Sequence, residues 1–421
     1  MLILNKNVDQ IKDALNKNPD KGLVFYAATQ LAQQLTVELA KDGIIPFCIC
    51  DSNSSLHGTN YFGLEVLSIE IAKEVFGDFL IFIANDHFLY EIINQLEKIG
   101  IEKKQIINYQ PLVKRKGCRY LIGNCVMQDD RVYFCCSDFK RNWEDQPYIV
   151  FKGDYDKLAE DFIALRDEIM DQIENDIPNK CSACWRLCDV FVPKDNAIMI
   201  TSIADSGFNV CNFKCIYCSS PKKHPQTINS WQLVEAFRKK NLITSDAQFQ
   251  YGNGEITVSP NQSEIYKCMS EFSRNNIFTN ALVYVKEISD LMRQGRAFIL
   301  VSMDAGTSET FAKIKGVDAY ERVCDTLRRY AQESEKTIKL KYIFLPDIND
   351  NTEDVDGFFE LAREIDAYQV FVCSDVTNPN LVNEHTIEMA KYFCDKAKKL
   401  SIPFLTSSPI IADALGIYCN N

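Results

Sequence analysis

The stretch Cys211-Asn-Phe-Lys-Cys215-Ile-Tyr-Cys218 decides the fold of this chain. It places three cysteines at C-x3-C-x2-C spacing after a short segment, Ala197–Ser202, that predicts a strand. Cysteine thiolates hold iron–sulfur clusters, usually four to a cubane, so three thiolates leave one iron without a protein ligand. Such an iron can bind a small molecule, as the open position of a catalytic zinc does. A structural zinc ion with a fourth ligand, or a chance spacing, is the alternative.

The chain on both sides of this loop predicts alternating strands and helices. Candidate strands are Ala197–Ser202, Gln248–Tyr251, Ile277–Leu282, Ala297–Asp304, Ile338–Phe344, Tyr368–Cys373 and Pro403–Thr406. Helical patterns lie between them, and about six β/α units predict a full or partial β/α barrel. Barrels of this type carry their chemistry at the C-terminal ends of the strands, where the three cysteines are expected.

The cysteine loop resembles that of the radical S-adenosylmethionine (SAM) superfamily. The similarity covers the three cysteines, the aromatic Tyr217 just before the last of them, and the place after the first barrel strand. The resemblance implies a 4Fe–4S cluster on Cys211, Cys215 and Cys218, whose open iron chelates the amino and carboxyl groups of SAM. It also implies that Tyr217 lies against the adenine.

A turn after the second barrel strand is similar to another part of that family. Here the chain reads Gly252-Asn253-Gly254-Glu255, where the family has a Gly-Gly-Glu-like turn that contacts the methionine amino group. Glycines suit such a place because they let backbone approach a ligand closely. Asn253 stands where the family usually has the middle glycine.

The fourth barrel strand ends in Ser302-Met-Asp304. Because side chains alternate along a strand, we expect Ser302 and Asp304 on one face and Ile299, Val301 and Met303 on the other. The resemblance implies that Ser302 and Asp304 bind the SAM ribose and nearby groups. The alternative is that Ser302 caps a turn and Asp304 is solvated.

The next two strands each direct one reactive side chain toward the predicted barrel interior. Lys341 either pairs with the SAM carboxylate or an anionic substrate, or extends its ammonium group to the barrel end. Cys373 is either a hydrogen-atom donor to a substrate radical or a buried core residue, and we prefer the second reading.

A second group of cysteines precedes the barrel. Its members are Cys118, Cys125, Cys135, Cys136, Cys181, Cys184 and Cys188. Arg119–Ile122 and Arg131–Phe134 predict a hairpin around the turn Gln128–Asp130, and Tyr155–Asn175 predicts a helix. A hairpin, a helix and then C-x2-C resemble the auxiliary-cluster modules called twitch and SPASM, which follow the barrel in most relatives.

This resemblance implies that four of the thiols hold an auxiliary 4Fe–4S cluster. The favoured ligands are Cys118, Cys136, Cys181 and Cys184. The rivals are Cys125, Cys135 and Cys188. Neighbouring residues of a strand point to opposite faces, so at most one of Cys135 and Cys136 fits a given cluster corner. A structural zinc ion on four of these thiols is the alternative.

Residues 1–110 predict a parallel sheet with helices on both faces. Strands at 22–28, 45–51 and 79–84 alternate with helices, as in half of a Rossmann-type domain. The glycine fingerprint of dinucleotide binding is absent. Asp51 has the position of a ribose-binding carboxylate, but we prefer the reading that it caps a turn. The layout resembles Rossmann-like domains appended to enzymes of bacterial surface-sugar pathways.

The predicted fold class is therefore α/β, in three segments. Residues 1–110 form a Rossmann-like parallel-sheet domain. Residues 111–195 form a small Cys-rich hairpin and helix module that carries the auxiliary cluster. Residues 196–421 form a partial (β/α)6 radical SAM barrel.

Composition narrows the classes of function. The chain has 421 residues, of which 46% are hydrophobic and 25% charged, as in a globular protein. The net charge of -12 argues against nucleic acid as a partner, and the one compact basic run, Lys114–Lys116, is expected in a solvated loop. No apolar stretch reaches the ~18 residues of a membrane span, and the N-terminus is too polar for a signal peptide. We therefore expect a cytoplasmic protein, in which 17 cysteines indicate metal binding or catalysis.

The resemblance implies an enzyme that cleaves SAM reductively. One electron, from a donor such as flavodoxin or ferredoxin, splits SAM into methionine and a 5′-deoxyadenosyl radical that abstracts hydrogen from a substrate. We expect a small, sugar-type substrate, free or nucleotide-linked, that is dehydrogenated or epimerised. A peptide-modifying maturase is the second hypothesis, and a non-catalytic iron–sulfur or zinc scaffold is the third.

Overall fold

The computed structural model describes residues 2–85, 88–135, 145–182, 184–194, 198–205, 210–218, 227–252, 254–375, 378 and 381–416, with backbone alone at 2–5 and 245. Cys136 and Asn253 lie outside the described residues. The chain divides into two compact units. The first unit comprises 1–204, 228–249 and 268–274, and the second comprises 205–227, 250–267 and 275–421. The functional segments 1–110, 111–195 and 196–421 stay predictions.

The structure is of the α/β class. The strands are β1 (Gly22–Tyr26), β2 (Ile49–Cys50), β3 (Asn60–Tyr61), β4 (Leu64–Leu67), β5 (Phe79–Ile83), β6 (Leu112–Gly117), β7 (Asn124–Gln128), β8 (Arg131–Tyr133), β9 (Tyr148–Val150), β10 (Cys188–Pro193), β11 (Ile200–Asp205), β12 (Ile243–Tyr251), β13 (Arg274–Phe278), β14 (Ala297–Ser302), β15 (Ile338–Phe344), β16 (Gln369–Ser374) and β17 (Phe404–Thr406). The helices are α1 (Leu2–Lys17), α2 (Gln30–Ala40), α3 (Ile69–Phe76), α4 (Leu89–Lys98), α5 (Arg119–Gly123), α6 (Tyr155–Glu174), α7 (Ser230–Lys239), α8 (Gln262–Met269), α9 (Lys286–Arg293), α10 (Ser308–Lys315), α11 (Tyr320–Glu333), α12 (Thr352–Glu364), α13 (Glu384–Lys399) and α14 (Pro409–Leu415).

The first unit begins with a five-stranded sheet in the order β3-β4-β2-β1-β5. The strands β4, β2, β1 and β5 run parallel, and β3 pairs with β4 antiparallel. Consecutive residues of β1 belong alternately to two separate apolar clusters, so the sheet is buried on both faces. The carboxylate of Asp51 accepts hydrogen bonds from the backbone N–H of Ala28 (2.9 Å) and Asn53 (2.8 Å), which is the turn-capping role that we preferred.

The rest of the first unit differs from the prediction at two places. The predicted strand Arg119–Ile122 is wrong, because these residues form the helix α5; a short apolar segment does not reveal its own period. The hairpin instead joins β7 to β8, around the turn that was predicted. The basic run Lys114–Lys116 lies in β6, which pairs with β10, and not in a loop. The predicted helix Tyr155–Asn175 is present as α6.

The second unit contains a parallel sheet in which β13, β14, β15, β16 and β17 are neighbours in chain order. Helices α9 to α14 connect and cover these strands. Burial alternates along β14, with Ile299 and Val301 buried and Leu300 and Ser302 half-buried, as the alternation of side chains predicts. Within the described part of the chain, no helix has both the length and the apolar character needed to cross a membrane.

Candidate active site

The backbone of the cysteine loop is fastened to the C-terminal end of α10. The N–H of Lys214 donates to the carbonyl of Lys315 (2.9 Å), and the N–H of Ile216 donates to that of Ile314 (3.0 Å). The next residue, Gly316, has a φ of 68°, and a Cβ there would lie 3.0 Å from Lys214. A glycine is therefore required where helix and loop meet. This contact fixes the segment between the first and last cysteines.

The three cysteines of the loop lie within electrostatic range of one another. Burial raises the pKa of Cys211 and of Cys215, and the neighbouring thiols, Cys218 among them, raise both further. The ammonium group of Lys315 opposes this shift at Cys215. The structure thus brings together the three predicted ligands of the first cluster. The raised pKa values of Cys211 and Cys215 favour their protonated thiols, and metal binding has to displace those protons.

Tyr217, predicted to lie against adenine, has its hydroxyl group in a buried polar network. The hydroxyl donates to Oδ2 of Asp304 (2.5 Å) and accepts from Nζ of Lys315 (2.8 Å). Lys315 also forms an ion pair with Asp304. Oδ1 of Asp304 accepts the N–H of Ile343 (2.7 Å). Burial raises the pKa of Tyr217 well above its ordinary value, so the hydroxyl stays protonated.

Asp304 departs from two expectations. Its side chain is 0% exposed, so the alternative of a solvated Asp304 is wrong. The strand β14 ends at Ser302, and Asp304 has a φ of 56°, so strand alternation does not reach it. Asn349 holds this conformation by donating its side-chain amide to the carbonyl of Asp304 (2.7 Å). The carboxylate therefore binds Lys315, Tyr217 and the chain itself.

Ser302 and Lys341 are paired in register on the adjacent strands β14 and β15. Both side chains are half-buried, and both belong to the less buried face of their strands. The structure therefore places one hydroxyl and one ammonium group side by side near the C-terminal ends of two central strands. These two predicted cofactor-binding residues are brought together.

Glu255, predicted to contact SAM, uses both carboxylate oxygens inside the protein. Oε1 accepts from the N–H and the hydroxyl of Thr257 (3.2 and 3.0 Å), and both oxygens accept from the hydroxyl of Thr279 (2.9 and 3.1 Å). Oε2 also accepts the N–H of Asn280 (2.6 Å). Burial raises the pKa of Glu255, and these hydrogen bonds oppose that shift. Glu255 therefore joins its turn to the end of β13.

The turn that carries Glu255 is also joined to the cysteine loop. The N–H of Glu255 donates to the carbonyl of Val210 (2.7 Å), and the N–H of Gly252 donates to that of Asp205 (2.8 Å). A Cβ on Gly252 would meet the ring of Phe278 only at 3.7 Å, which is ordinary contact. Glu255 is thus bonded to the residue directly before the first cysteine of the loop, and Gly252 is bonded to the last residue of β11.

Cys373 has the environment of a core residue. It is 2% exposed and packs with Ile314, Ile343 and Leu345. Its Sγ lies 3.2 Å from the hydroxyl oxygen of Ser407. This is the reading that we preferred, although Tyr217 packs against the same cluster and so places Cys373 close to the network around Asp304.

Four cysteines of the second group line a cavity in the first unit. The lining residues are Cys118, Tyr120, Leu121, Phe134, Cys135, Gln146, Pro147, Cys181, Cys184, Arg186 and Leu187. Cys125 is fully buried and Cys188 is exposed. Burial raises the pKa of Cys118, and the charges of Cys135 and Cys184 raise it further. Three of the four favoured ligands, Cys118, Cys181 and Cys184, therefore line one cavity. The fourth cysteine of the lining is Cys135, an alternative to the favoured Cys136.

The cavity lining contains two buried polar side-chain atoms, one on Arg186 and one on Gln146. Nε of Arg186 and Oε1 of Gln146 are buried and have no hydrogen-bond partner among the described residues. In the described ranges, no three or more side chains of Cys, His, Asp or Glu lie close enough together to bind one metal ion. Thiolates of a cubane bind separate irons, so a wider arrangement around an apolar cavity fits a 4Fe–4S cluster.

Sequence reasoning missed Lys315, Asn280, Arg186 and Gln146. Lys315 belongs to the run Lys313-Ile-Lys-Gly316, but nothing in that run shows that one of its lysines turns inward. Asn280 follows β13 without any motif of its own. Such positions are identified only by the contacts that tertiary packing creates.

A comparison with protein-family models matches residues 206–362 to the radical SAM superfamily. A GTP 3′,8-cyclase of Clostridium acetobutylicum is 27% identical over 161 residues, which are 37% of this chain and 50% of that protein. A GTP 3′,8-cyclase of Chlorobaculum tepidum is 26% identical over 163 residues, which are 38% of this chain and 48% of that protein. The chain spans about half the length of the curated relatives that it matches.

Among solved structures, SuiB of Streptococcus suis is similar with a TM-score of 0.42 and 12% identity, over 64% of this chain and 59% of that chain. Similarity at this TM-score establishes neither a common fold nor a common function. The family match instead covers the cysteine loop, the turn with Glu255, the end of β14 and the strand β15. Residues 206–362 are therefore similar to a radical SAM domain, and enzymes of that superfamily use a 4Fe–4S cluster and SAM.

Proposed function

We propose that this protein is a radical SAM enzyme that removes a hydrogen atom from a small-molecule substrate. One observation carries the proposal. The loop with Cys211, Cys215 and Cys218 lies in the matched domain and is fastened to α10, so three thiols are presented from a fixed backbone. In this proposal they hold a 4Fe–4S cluster that leaves one iron for SAM.

The surrounding residues have separate roles in binding SAM. When bound, the cluster supplies one electron to SAM and so a radical that abstracts hydrogen. Gly252 and Gly254 let the backbone approach the methionine moiety, and Ser302 offers its hydroxyl to the ribose. Lys341 offers its ammonium group to the SAM carboxylate or to an anionic group of the substrate. Tyr217 presents its ring beside the last cysteine, with its hydroxyl anchored by Asp304 and Lys315.

The cavity of the first unit supports a second cluster. We propose that Cys118, Cys135, Cys181 and Cys184 hold an auxiliary 4Fe–4S cluster, with Cys135 in place of the Cys136 that the sequence favoured. Four thiolates and a cubane carry net negative charge, and among the described residues the lining includes the cation Arg186 and no carboxylate. Nε of Arg186, which has no partner in the described ranges, can donate to a cluster sulfur.

The finer architecture belongs to the same proposal. Counted among the parallel strands alone, β4-β2-β1-β5 are the third, second, first and fourth in chain order, and this arrangement supports a Rossmann-like domain. The consecutive parallel strands β13 to β17 support a partial barrel. Location in the cytoplasm and an electron donor such as flavodoxin or ferredoxin stay predictions.

The substrate class is inferred from the N-terminal sheet and from the relatives. The Rossmann-like order of the N-terminal sheet favours a sugar or nucleotide-sugar, which the enzyme would dehydrogenate or epimerise. The relatives named GTP 3′,8-cyclase act, by their name, on a nucleotide, and this also favours a small molecule. Nothing in the described contacts favours the peptide hypothesis, which stays a prediction.

The experiment that tests the radical chemistry is reconstitution with iron and sulfide under anaerobic conditions. Dithionite and SAM are then added, and 5′-deoxyadenosine is followed by mass spectrometry. We expect its formation by the parent protein and none by Cys215→Ala, while Cys268→Ala, which changes a buried thiol elsewhere, keeps it. Formation by Cys215→Ala would refute the site. Zinc in place of iron and sulfide in protein as purified would favour the scaffold hypothesis.

A further inference from the structure

Asn280 contacts the first cysteine of the cluster loop. Its side-chain nitrogen Nδ2 lies 3.8 Å from Sγ of Cys211 and 2.6 Å from Oδ1 of Asn212. The first distance is that of a hydrogen bond to sulfur, and the second is that of a short bond between two amides. One amide group therefore binds two consecutive residues of the loop.

The orientation of this amide is fixed by its other end. Oδ1 of Asn280 accepts the backbone N–H of Leu282 (3.0 Å), and an N–H can only meet an acceptor. The NH2 group must then point toward Cys211. Between the two residues, Ala281 has a φ of 53°, and its N–H donates to the hydroxyl of Thr279 (3.1 Å). The short segment 279–282 is thus a tight turn with a defined amide direction.

The backbone of Asn280 is anchored from a third side. Its N–H donates to Oε2 of Glu255 (2.6 Å), and Glu255 is 1% exposed. A buried carboxylate that accepts several hydrogen bonds has little freedom to move. A continuous path of hydrogen bonds therefore runs from Glu255 through Asn280 to Cys211.

Cys211 has a second donor close in sequence. The backbone N–H of Phe213 lies 3.4 Å from Sγ. This contact comes from the loop itself, whereas Asn280 comes from the end of another strand. Asn280 is therefore the donor that ties the position of Cys211 to the frame of the domain.

We propose that Asn280 is a positioning residue of the cluster, which holds Cys211 and raises the reduction potential of the 4Fe–4S centre. The inference rests on the proposed function, since it needs a cluster on Cys211. Negative charge on the sulfurs is larger in the reduced cluster, so a fixed N–H donor stabilises that state more than the oxidised one. Loss of the donor lowers the potential and makes the cluster harder to reduce.

The test is a redox titration of the reconstituted protein, followed by electron paramagnetic resonance. The signal of this cluster is recognised by its change when SAM is added. Asn280→Ala removes the donor without adding charge. Asn280→Asp keeps an oxygen for the N–H of Leu282, removes the donor and adds a negative charge. Asn383→Asp is the matched control, because aspartate caps α13 as well as asparagine does.

We expect midpoint potentials in the order parent, Asn280→Ala, Asn280→Asp, with the parent least negative and Asn383→Asp equal to the parent. An unchanged potential in Asn280→Ala with full iron content would overturn the inference, even if Asn280→Asp shifts. If Asn280→Ala does not load iron, Asn280→Leu decides, because it fills the space of the amide without a donor or a charge: a more negative potential supports the inference, and an unchanged or more positive one overturns it. Absence of iron from the parent would refute the proposed function and this inference together.

Discussion

The ammonium group of Lys315 is paired with the carboxylate of Asp304, and the two side chains are 2% and 0% exposed. Lys315 is the last residue of α10, and Asp304 follows the end of β14. The hydroxyl of Tyr217 bonds to both, so the pair also holds the cysteine loop. A buried pair of this kind is costly to break because the remaining charge has no water around it.

Replacement of the cation alone should therefore destabilise the domain strongly. We expect Lys315→Met to lower the free energy of unfolding of the apoprotein by about 3–5 kcal/mol, as measured by urea denaturation. Lys315→Met combined with Asp304→Asn should recover part of that loss. Lys313→Met on the exposed side of the same helix is the control, and its effect should be small. Equal effects at both lysines would show that the pair does not stabilise the fold.

Gly306 is predicted to be a position that tolerates no side chain. A Cβ there would lie 2.1 Å from the carbonyl oxygen of Asp354 and 2.7 Å from the nitrogen of Phe358, both backbone atoms of α12. Overpacking against backbone cannot be relieved by a rotamer change, so we expect Gly306→Ala to cost about 3 kcal/mol of stability. Gly252→Ala meets ordinary contact at 3.7 Å and should unfold like the parent in thermal denaturation. A parent-like transition for Gly306→Ala would contradict this packing.

The sequence predicted the elements with strong periodicity better than the side-chain roles. The strands β14 to β17 and the helix α6 follow from apolar runs and a clear helical period, whereas β11 and β13 are displaced by about three residues from the predicted Ala197–Ser202 and Ile277–Leu282. Segment Arg119–Ile122 was assigned to a strand because four residues cannot distinguish the two periods. Nothing in the strand-like run before Asp304 indicates that this residue has a left-handed backbone. The alternation of side chains along β14 was therefore extended to Asp304, which lies beyond the end of the strand. The contacts of Glu255 and Asn280 depend on three separate loops, which no local pattern describes.

Loading of the first cluster should depend on pH. Burial raises the pKa of the Cys211 and Cys215 thiols above the ordinary value of 9.0, so these groups are neutral in the apoprotein at neutral pH. Iron binds the thiolate, and each proton must leave first. We therefore expect the rate of iron and sulfide incorporation to rise as pH increases from neutral toward the thiol pKa. The measurement is iron content against time at several pH values, in protein with Cys181→Ser and Cys184→Ser. A rate that is flat or falls with pH would contradict the burial of these thiols.

The same free thiols should make the apoprotein less stable as pH rises, whereas the rate of iron incorporation increases. A group whose pKa is higher in the folded state than in the unfolded state stabilises the fold fully at pH values below its unfolded pKa. This stabilisation is lost as pH rises through the pKa of the folded state. The apoprotein should therefore unfold more easily in urea as pH rises past about 9, where unfolded thiols begin to ionise. Cys215→Ala should show a smaller loss over that window. An equal loss in this variant would assign the effect to other groups.

The two adjacent cysteines at the end of the hairpin should differ sharply in their effect on iron content. Cys135 lines the cavity together with Cys118, Cys181 and Cys184. Neighbouring residues of a strand point to opposite faces, so the sequence predicts that at most one of the two cysteines serves a given cluster corner. We expect Cys135→Ala to lose the iron of the auxiliary cluster and to keep the SAM-dependent signal of the first cluster. Cys136→Ala should retain the iron of both clusters. The reverse result would return the ligand to Cys136, and full iron in Cys135→Ala, Cys181→Ala and Cys184→Ala alike would remove the auxiliary cluster from this cavity.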